Sequence, residues 1–191
     1  MLELSQEEIT AIYEKQSAGN ELLNTGYGVF HAFSIIGDSI AEGRSDGTNN
    51  SNNNTLYEWD SGTFTEVSDL AGANTGSWSP SFANQYNTLT GKKVMISENA
   101  NGGSEFFPNG DTNNWYTTGT LYGAMKTETD AMISEVGSAF KGFIIILGVN
   151  DARGSEDIGD IETGAVSLIT RLNADYSNPN IFICNIGQEG S

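Results

Sequence analysis

Apolar positions along this chain fall into short continuous runs, separated by segments of helical period and by long polar stretches. Residues 29–37 read VFHAFSIIG, residues 142–148 read GFIIILG and residues 181–186 read IFICNI, with KVMISE at 93–98 as a fourth run. Unbroken runs of this kind suit strands covered on both faces, as in a parallel sheet. Leu121, Tyr122, Met125, Met132, Ile133, Val136 and Phe140 recur at helical spacing, and a further helix is predicted over residues 158–176, stopped by Pro179. Ser79 and Pro80 suit the N-cap and first turn of another helix running to Leu89, with Gly91 as its stop. TLYEW and TFTEV flank Asp60-Ser61-Gly62 and predict a hairpin with a three-residue turn. Ser5 and Glu8 form a capping box ahead of Ile9, Ile12 and Tyr13, which predicts a helix over residues 5–20. The expected division is an N-terminal helical arm over 1–28 and one domain over 29–191.

The order β-α-β-α-β-α-β predicts a doubly wound α/β sheet, in which function gathers beyond the C-terminal ends of the strands. Three of those ends carry distinctive residues: Gly37-Asp38-Ser39, Gly102-Gly103-Ser104 and Gly148-Val149-Asn150-Asp151. Acyl transfer needs a nucleophile, donors aimed at the developing oxyanion, and a base. Ser39, at a tight turn opening a predicted helix (IAEG), supplies the first. The backbone N–H of Gly102, unshielded by a Cβ, and the side-chain amide of Asn150 supply donors. Asp38 and Asp151 read as acids that hold the turns around Ser39 and Asn150.

Composition narrows the partners. With 25 acidic against 8 basic residues the formal net charge of the 191-residue chain is -17, which disfavours nucleic acid and anionic membranes. The single cysteine, Cys184, excludes an intrachain disulfide and reads as a small core residue. MLELSQEEI lacks the basic and apolar parts of a signal peptide, and no apolar run approaches the ~20 residues that span a bilayer. The expected location is therefore a virion or the extracellular side reached by another route, or otherwise the cytoplasm. The loop acids and amides around Asp46, Asn49 and Asn50 lack EF-hand spacing, and no phosphate-cradling glycine motif is present.

IIGDSIAEG resembles the first block of the SGNH/GDSL hydrolases, NGGS the second and LGVND the third. The LYEWDSGTF hairpin, the following GSWSPSFANQY segment, Trp115 and Leu121-Tyr122 resemble the sialate O-acetylesterase-like carbohydrate-esterase branch. The resemblance covers about residues 33–186. It implies a three-layer α/β/α, flavodoxin-like parallel sheet lacking the last strand and helix. By the same resemblance Ser39 is the nucleophile and Gly102 and Asn150 complete the oxyanion hole, with Gly103 the alternative if the register is one residue off. It also implies an acylated carbohydrate substrate, an acyl-serine intermediate, and neither metal nor cofactor. Arg44 and Trp115 are candidate substrate contacts.

One block is missing. The family's D-x-x-H, which supplies the base and its orienting acid, has no counterpart here, and the single histidine of the sequence is His31. It precedes Ser39 by eight residues, about 26 Å along a strand, and reads as structural. Three explanations stay open: the sequence is part of a longer esterase, a second chain or larger assembly completes the site, or the fold is kept as an inactive binding or structural module of a virion appendage or surface assembly.

Overall fold

The computed structural model describes residues 27–43, 55–70, 77–108, 112–154 and 157–184. The arm predicted over residues 5–20, Arg44 and the Asn-rich run lie outside them. Among the described residues there are six strands: β1 (Phe30–Gly37), β2 (Leu56–Asp60), β3 (Thr63–Glu66), β4 (Lys93–Glu98), β5 (Phe140–Ile146) and β6 (Ile181–Ile183). The α-helices described are α1 (Ser79–Thr90), α2 (Leu121–Val136), α3 (Val149–Gly154) and α4 (Ile158–Tyr176).

The strands form one sheet in the order β3-β2-β4-β1-β5-β6. Every pairing is parallel except β2 with β3 at one edge. The chain moves from β1 to one side, through β2 and β4, and then crosses to β5 on the other. The strand order thus reverses at β1, the place where doubly wound sheets open a crevice. Alternation along β1 sends Phe33 and Ile35 to the face where Ala83 of α1 packs, and Ile36 to the face covered by Met125 of α2 and Leu168 and Leu172 of α4. The result is the expected three-layer α/β/α arrangement, with β1 and β5 at its centre and buried toward their C-terminal ends.

The hairpin departs from expectation in two ways. Its first strand joins the main sheet alongside β4, so β2, β4, β1, β5 and β6 are all parallel neighbours. Asp60 pairs directly with Thr63, which leaves a two-residue turn of Ser61 and Gly62 rather than a three-residue one. Both turn residues have positive φ, 48° and 97°, the conformation that matches the twist of a two-stranded ribbon. A Cβ on Gly62 would meet no atom within 4 Å, so only backbone strain opposes it. Gly62→Ala is expected to cost about 1 kcal/mol; urea unfolding checks this, and a loss of several kcal/mol would reveal a close contact that the fold lacks.

Three other boundaries moved. Ser79 is the first residue of α1 rather than its cap: Ser77 Oγ accepts the Ser79 N–H at 3.2 Å, and the Asp69 carboxylate accepts the Ser77 N–H at 2.9 Å. Phe140 opens β5 instead of closing α2, because Gly137, at φ 52°, ends the helix first. Cys184 follows β6 and is exposed rather than in the core; partial desolvation pushes its thiol up. No helix among the described residues is long and apolar enough to cross a membrane.

Candidate active site

Gly37 ends β1 where three loops meet. A Cβ at this position would collide with the carbonyl oxygen of Ile146 and the Cβ of Ala41, so only glycine lets β1 end this close to β5. Its own carbonyl accepts the Asn101 N–H and the Ser104 hydroxyl, each at 2.9 Å. The next amide, Asp38 N–H, donates to Ile146 O at 3.2 Å. The end of β1 is therefore bonded to the loop after β4 on one side and to β5 on the other.

Ser39 follows on a turn and is partly exposed. Glu42 N–H donates to Asp38 O at 3.0 Å and Gly43 N–H to Ile40 O at 3.1 Å. Asp38 is fully buried, and its Oδ1 accepts the Ile40 N–H at 2.9 Å, an Asx turn that fixes the chain around Ser39. The helix predicted from IAEG is only this turn, ended by Gly43 at φ 84°.

The two glycines of the second block have separate tasks. Ser104 N–H closes a turn onto Asn101 O at 3.1 Å, and Gly103 takes φ 78° at its third position, where a type II turn requires glycine. Gly102 keeps its N–H for another partner, donating to Glu42 Oε1 at 2.9 Å, while its carbonyl accepts from Asn113 Nδ2 at 3.3 Å. Of the pair, Gly102 is thus the one whose amide faces the Ser39 turn. Glu42 was not among the residues singled out from the sequence. An acid three positions beyond Ser39 reads as solvated, and no spacing pattern links it to an amide 60 residues away.

The third block supports the second. Asn150 Nδ2 donates to Ser104 O at 3.1 Å, two residues beyond Gly102. Asp151 is fully buried, and its carboxylate accepts the Phe106 N–H at 2.9 and 3.1 Å and the Phe107 N–H at 3.4 Å. Asp151 therefore holds the stretch after Gly102 more than the loop around Asn150. Trp115, a candidate substrate contact by sequence, is a packing residue instead. It is 0% exposed within the core on the α2/α4 side, and its Nε1 donates to Ser104 Oγ at 3.1 Å.

His31 lies near the start of β1, opposite the Ser39 end. Its Nδ1 is 2.6 Å from the Tyr86 hydroxyl of α1, and the two rings meet edge to face. Burial, then Lys141 and Lys92, hold its pKa below the ordinary imidazole range. Among the described residues no group of three His, Cys, Asp or Glu side chains is placed to hold a metal ion. The turn that carries Ser39 is thus linked to the Gly102 amide through the Glu42 carboxylate, and the buried Asp151 braces the stretch that follows Gly102. The imidazole is at the other end of the strand.

No family model and no curated protein matches the sequence. Solved structures do resemble the fold. A protein of Arabidopsis thaliana superposes with a TM-score of 0.61 at 19% identity, over 80% of this chain and 71% of that one. A carbohydrate acetylesterase from Xanthomonas citri gives a TM-score of 0.48 at 18% identity, over 80% of this chain and 40% of the enzyme. At 19% identity what the chain shares with the Arabidopsis protein is the fold, a mostly parallel α/β sheet flanked by helices.

Proposed function

We propose that this chain carries the acyl-binding half of an SGNH-type serine esterase acting on acetylated carbohydrate. In this reading Ser39 attacks the ester carbonyl and Gly102 N–H receives the oxyanion. The Asn150 amide, on the loop neighbouring Ser104, is the further donor. The observation that carries the reading is the Gly102 amide, which already holds a carboxylate oxygen at 2.9 Å from the turn that bears Ser39. A backbone N–H so placed has the chemistry an oxyanion needs, and losing one such donor typically costs on the order of 10²–10³ in rate. Loop geometry gives further support: Asp38 fixes the turn of the nucleophile and Asp151 braces the donor loop.

The base is not supplied by His31, whose partner is Tyr86. The chain alone is therefore expected to hydrolyse p-nitrophenyl acetate no faster than its Ser39→Ala variant. Free imidazole can stand in for the absent base, since a positioned general base contributes about 10²–10⁴ and a diffusing one recovers part of it. The expected result is hydrolysis that rises with imidazole in the unaltered chain above the same curve for Ser39→Ala. Identical curves would favour the second reading, an inactive module of this fold in a virion appendage or surface assembly. That reading draws on the remoteness of His31, which is engaged by Tyr86 at the other end of the strand. Ser39-dependent turnover without imidazole would show that the chain holds a base of its own.

A further inference from the structure

The Glu42 carboxylate occupies the Gly102 amide. It reaches from the turn that bears Ser39 to the Gly102 N–H at 2.9 Å, with its own backbone fixed by the Glu42 N–H bond to Asp38 O at 3.0 Å. A carboxylate oxygen carries the charge and acceptor geometry of the oxyanion that develops on an ester carbonyl, and acetate, the product of deacetylation, presents the same group. An amide has one hydrogen to give, so Glu42 and an external carboxylate exclude one another at this atom. Glu42 is tethered beside the amide, which gives it an effective concentration in the millimolar range. Its second oxygen, Oε2, is buried, so opening the site means moving the whole carboxylate, while the turn beneath it stays held by backbone bonds.

We propose that the Gly102 amide is a carboxylate site kept shut by Glu42, and that when Glu42 swings away an acyl carboxylate of the acetate class, or the oxyanion of its ester, takes the same N–H beside Ser39. This deepens the ester-site reading above and rests on it. Glu42 is a competitor for the donor and sets when the site is open, rather than a group that reacts.

The test is a titration of the ¹⁵N-labelled 191-residue chain, its Glu42→Ala variant and its Glu42→Gln variant with sodium acetate, following the Gly102 amide. Total ionic strength is held at about 0.15 M so that the acidic surface is equally screened throughout. In Glu42→Ala the free Gly102 proton should lie upfield of its position in the unaltered chain. Acetate should return it downfield saturably, with an affinity at least about tenfold higher than in the unaltered chain, the scale of one charge-assisted hydrogen bond. Glu42→Gln keeps a neutral oxygen of the same reach and should fall between the two. It carries the test if the alanine variant does not fold. The same acetate response in all three proteins, or none at Gly102 in either variant, overturns the proposal.

Imidazole-rescued hydrolysis in the same proteins separates this from the ester reading. Rescue that depends on Ser39 and rises about tenfold in Glu42→Ala supports both. Rescue without any acetate effect at Gly102 overturns the shut-site proposal alone. Acetate binding without rescue removes the esterase reading and leaves the Glu42-gated carboxylate site. Neither rescue nor binding overturns both.

Discussion

Gly37→Ala is expected to destabilise the chain by more than about 4 kcal/mol, a loss in the range that single substitutions reach only through a specific clash. Domains of this size are stable by about 5–15 kcal/mol in total, so the variant should be largely unfolded in mild urea. The new methyl would strike the Ile146 carbonyl, which is backbone and already accepts the Asp38 N–H, and the Cβ of Ala41, which is fully buried on the α1 side of the sheet. Neither can move aside without separating β1 from β5 or displacing the Ser39 turn. Gly62→Ala makes the same chemical change in open space and should cost only about 1 kcal/mol. Urea unfolding followed by circular dichroism compares the two. If Gly37→Ala lies within about 1 kcal/mol of Gly62→Ala, the close approach of β1 to β5 is absent and the placement of Ser39 must be redrawn.

That comparison bears on why parts of this molecule were legible and others were not. The central strands were, because β1 and β5 are buried on both sides and so must be written almost wholly in apolar residues. The three motifs were also legible as loops beyond apolar strands: Gly37 ends β1 itself, while Gly102 and Gly148 lie four and two residues past the ends of β4 and β5. Membership of β2 in the sheet was not. Tyr57 and Trp59 alternate as any half-covered hairpin would, and pairing with β4 is decided by neighbours that the local sequence does not name. The hairpin turn was misread for a related reason: Asp60 is a common turn residue, but here its backbone pairs with Thr63 and the positive φ values fall on Ser61 and Gly62.

Long-range partners explain the remaining misses. Trp115 follows a polar loop and could have faced solvent; its burial depends on Ser104 and on the α2/α4 layer. Glu42 carried no signal at all, since its meaning comes from Gly102 across the crevice. The division between Gly102 and Gly103 could not be made from a glycine pair alone. It follows from which amide has φ 78° and which one donates to an acid.

Asp151 joins stability to the site, and Asp151→Ala should reveal both. The acid is 0% exposed, Phe106 is 8% exposed and Phe107 is half-buried, so water reaches the Phe106 amide poorly and the Phe107 amide only in part. A buried donor left without a partner costs about 1–3 kcal/mol, and two of them, at Phe106 and Phe107, place the expected loss at about 3–5 kcal/mol. Asp151→Asn keeps one carbonyl oxygen of the same reach but surrenders the charge, and should lose about 1–2 kcal/mol. A purely structural acid would produce those two losses and nothing else. The braced loop begins at Gly102, however, and the neighbouring Asn150 amide bonds to Ser104 within it. Hydrogen exchange at Gly102, Phe106 and Phe107 should therefore quicken together in Asp151→Ala under conditions where the chain is still folded, and imidazole-rescued hydrolysis should fall by more than the unfolded fraction explains. In Asp151→Asn exchange at Phe106 should change more than at Gly102, because the nearer amide feels the weakened acceptor first. If Gly102 exchange in Asp151→Ala is unaltered while the two phenylalanine amides open, the acid supports the core next to the loop and the donor is positioned by the bonds of Glu42, Asn113, Asn150 and Gly37 to that loop instead.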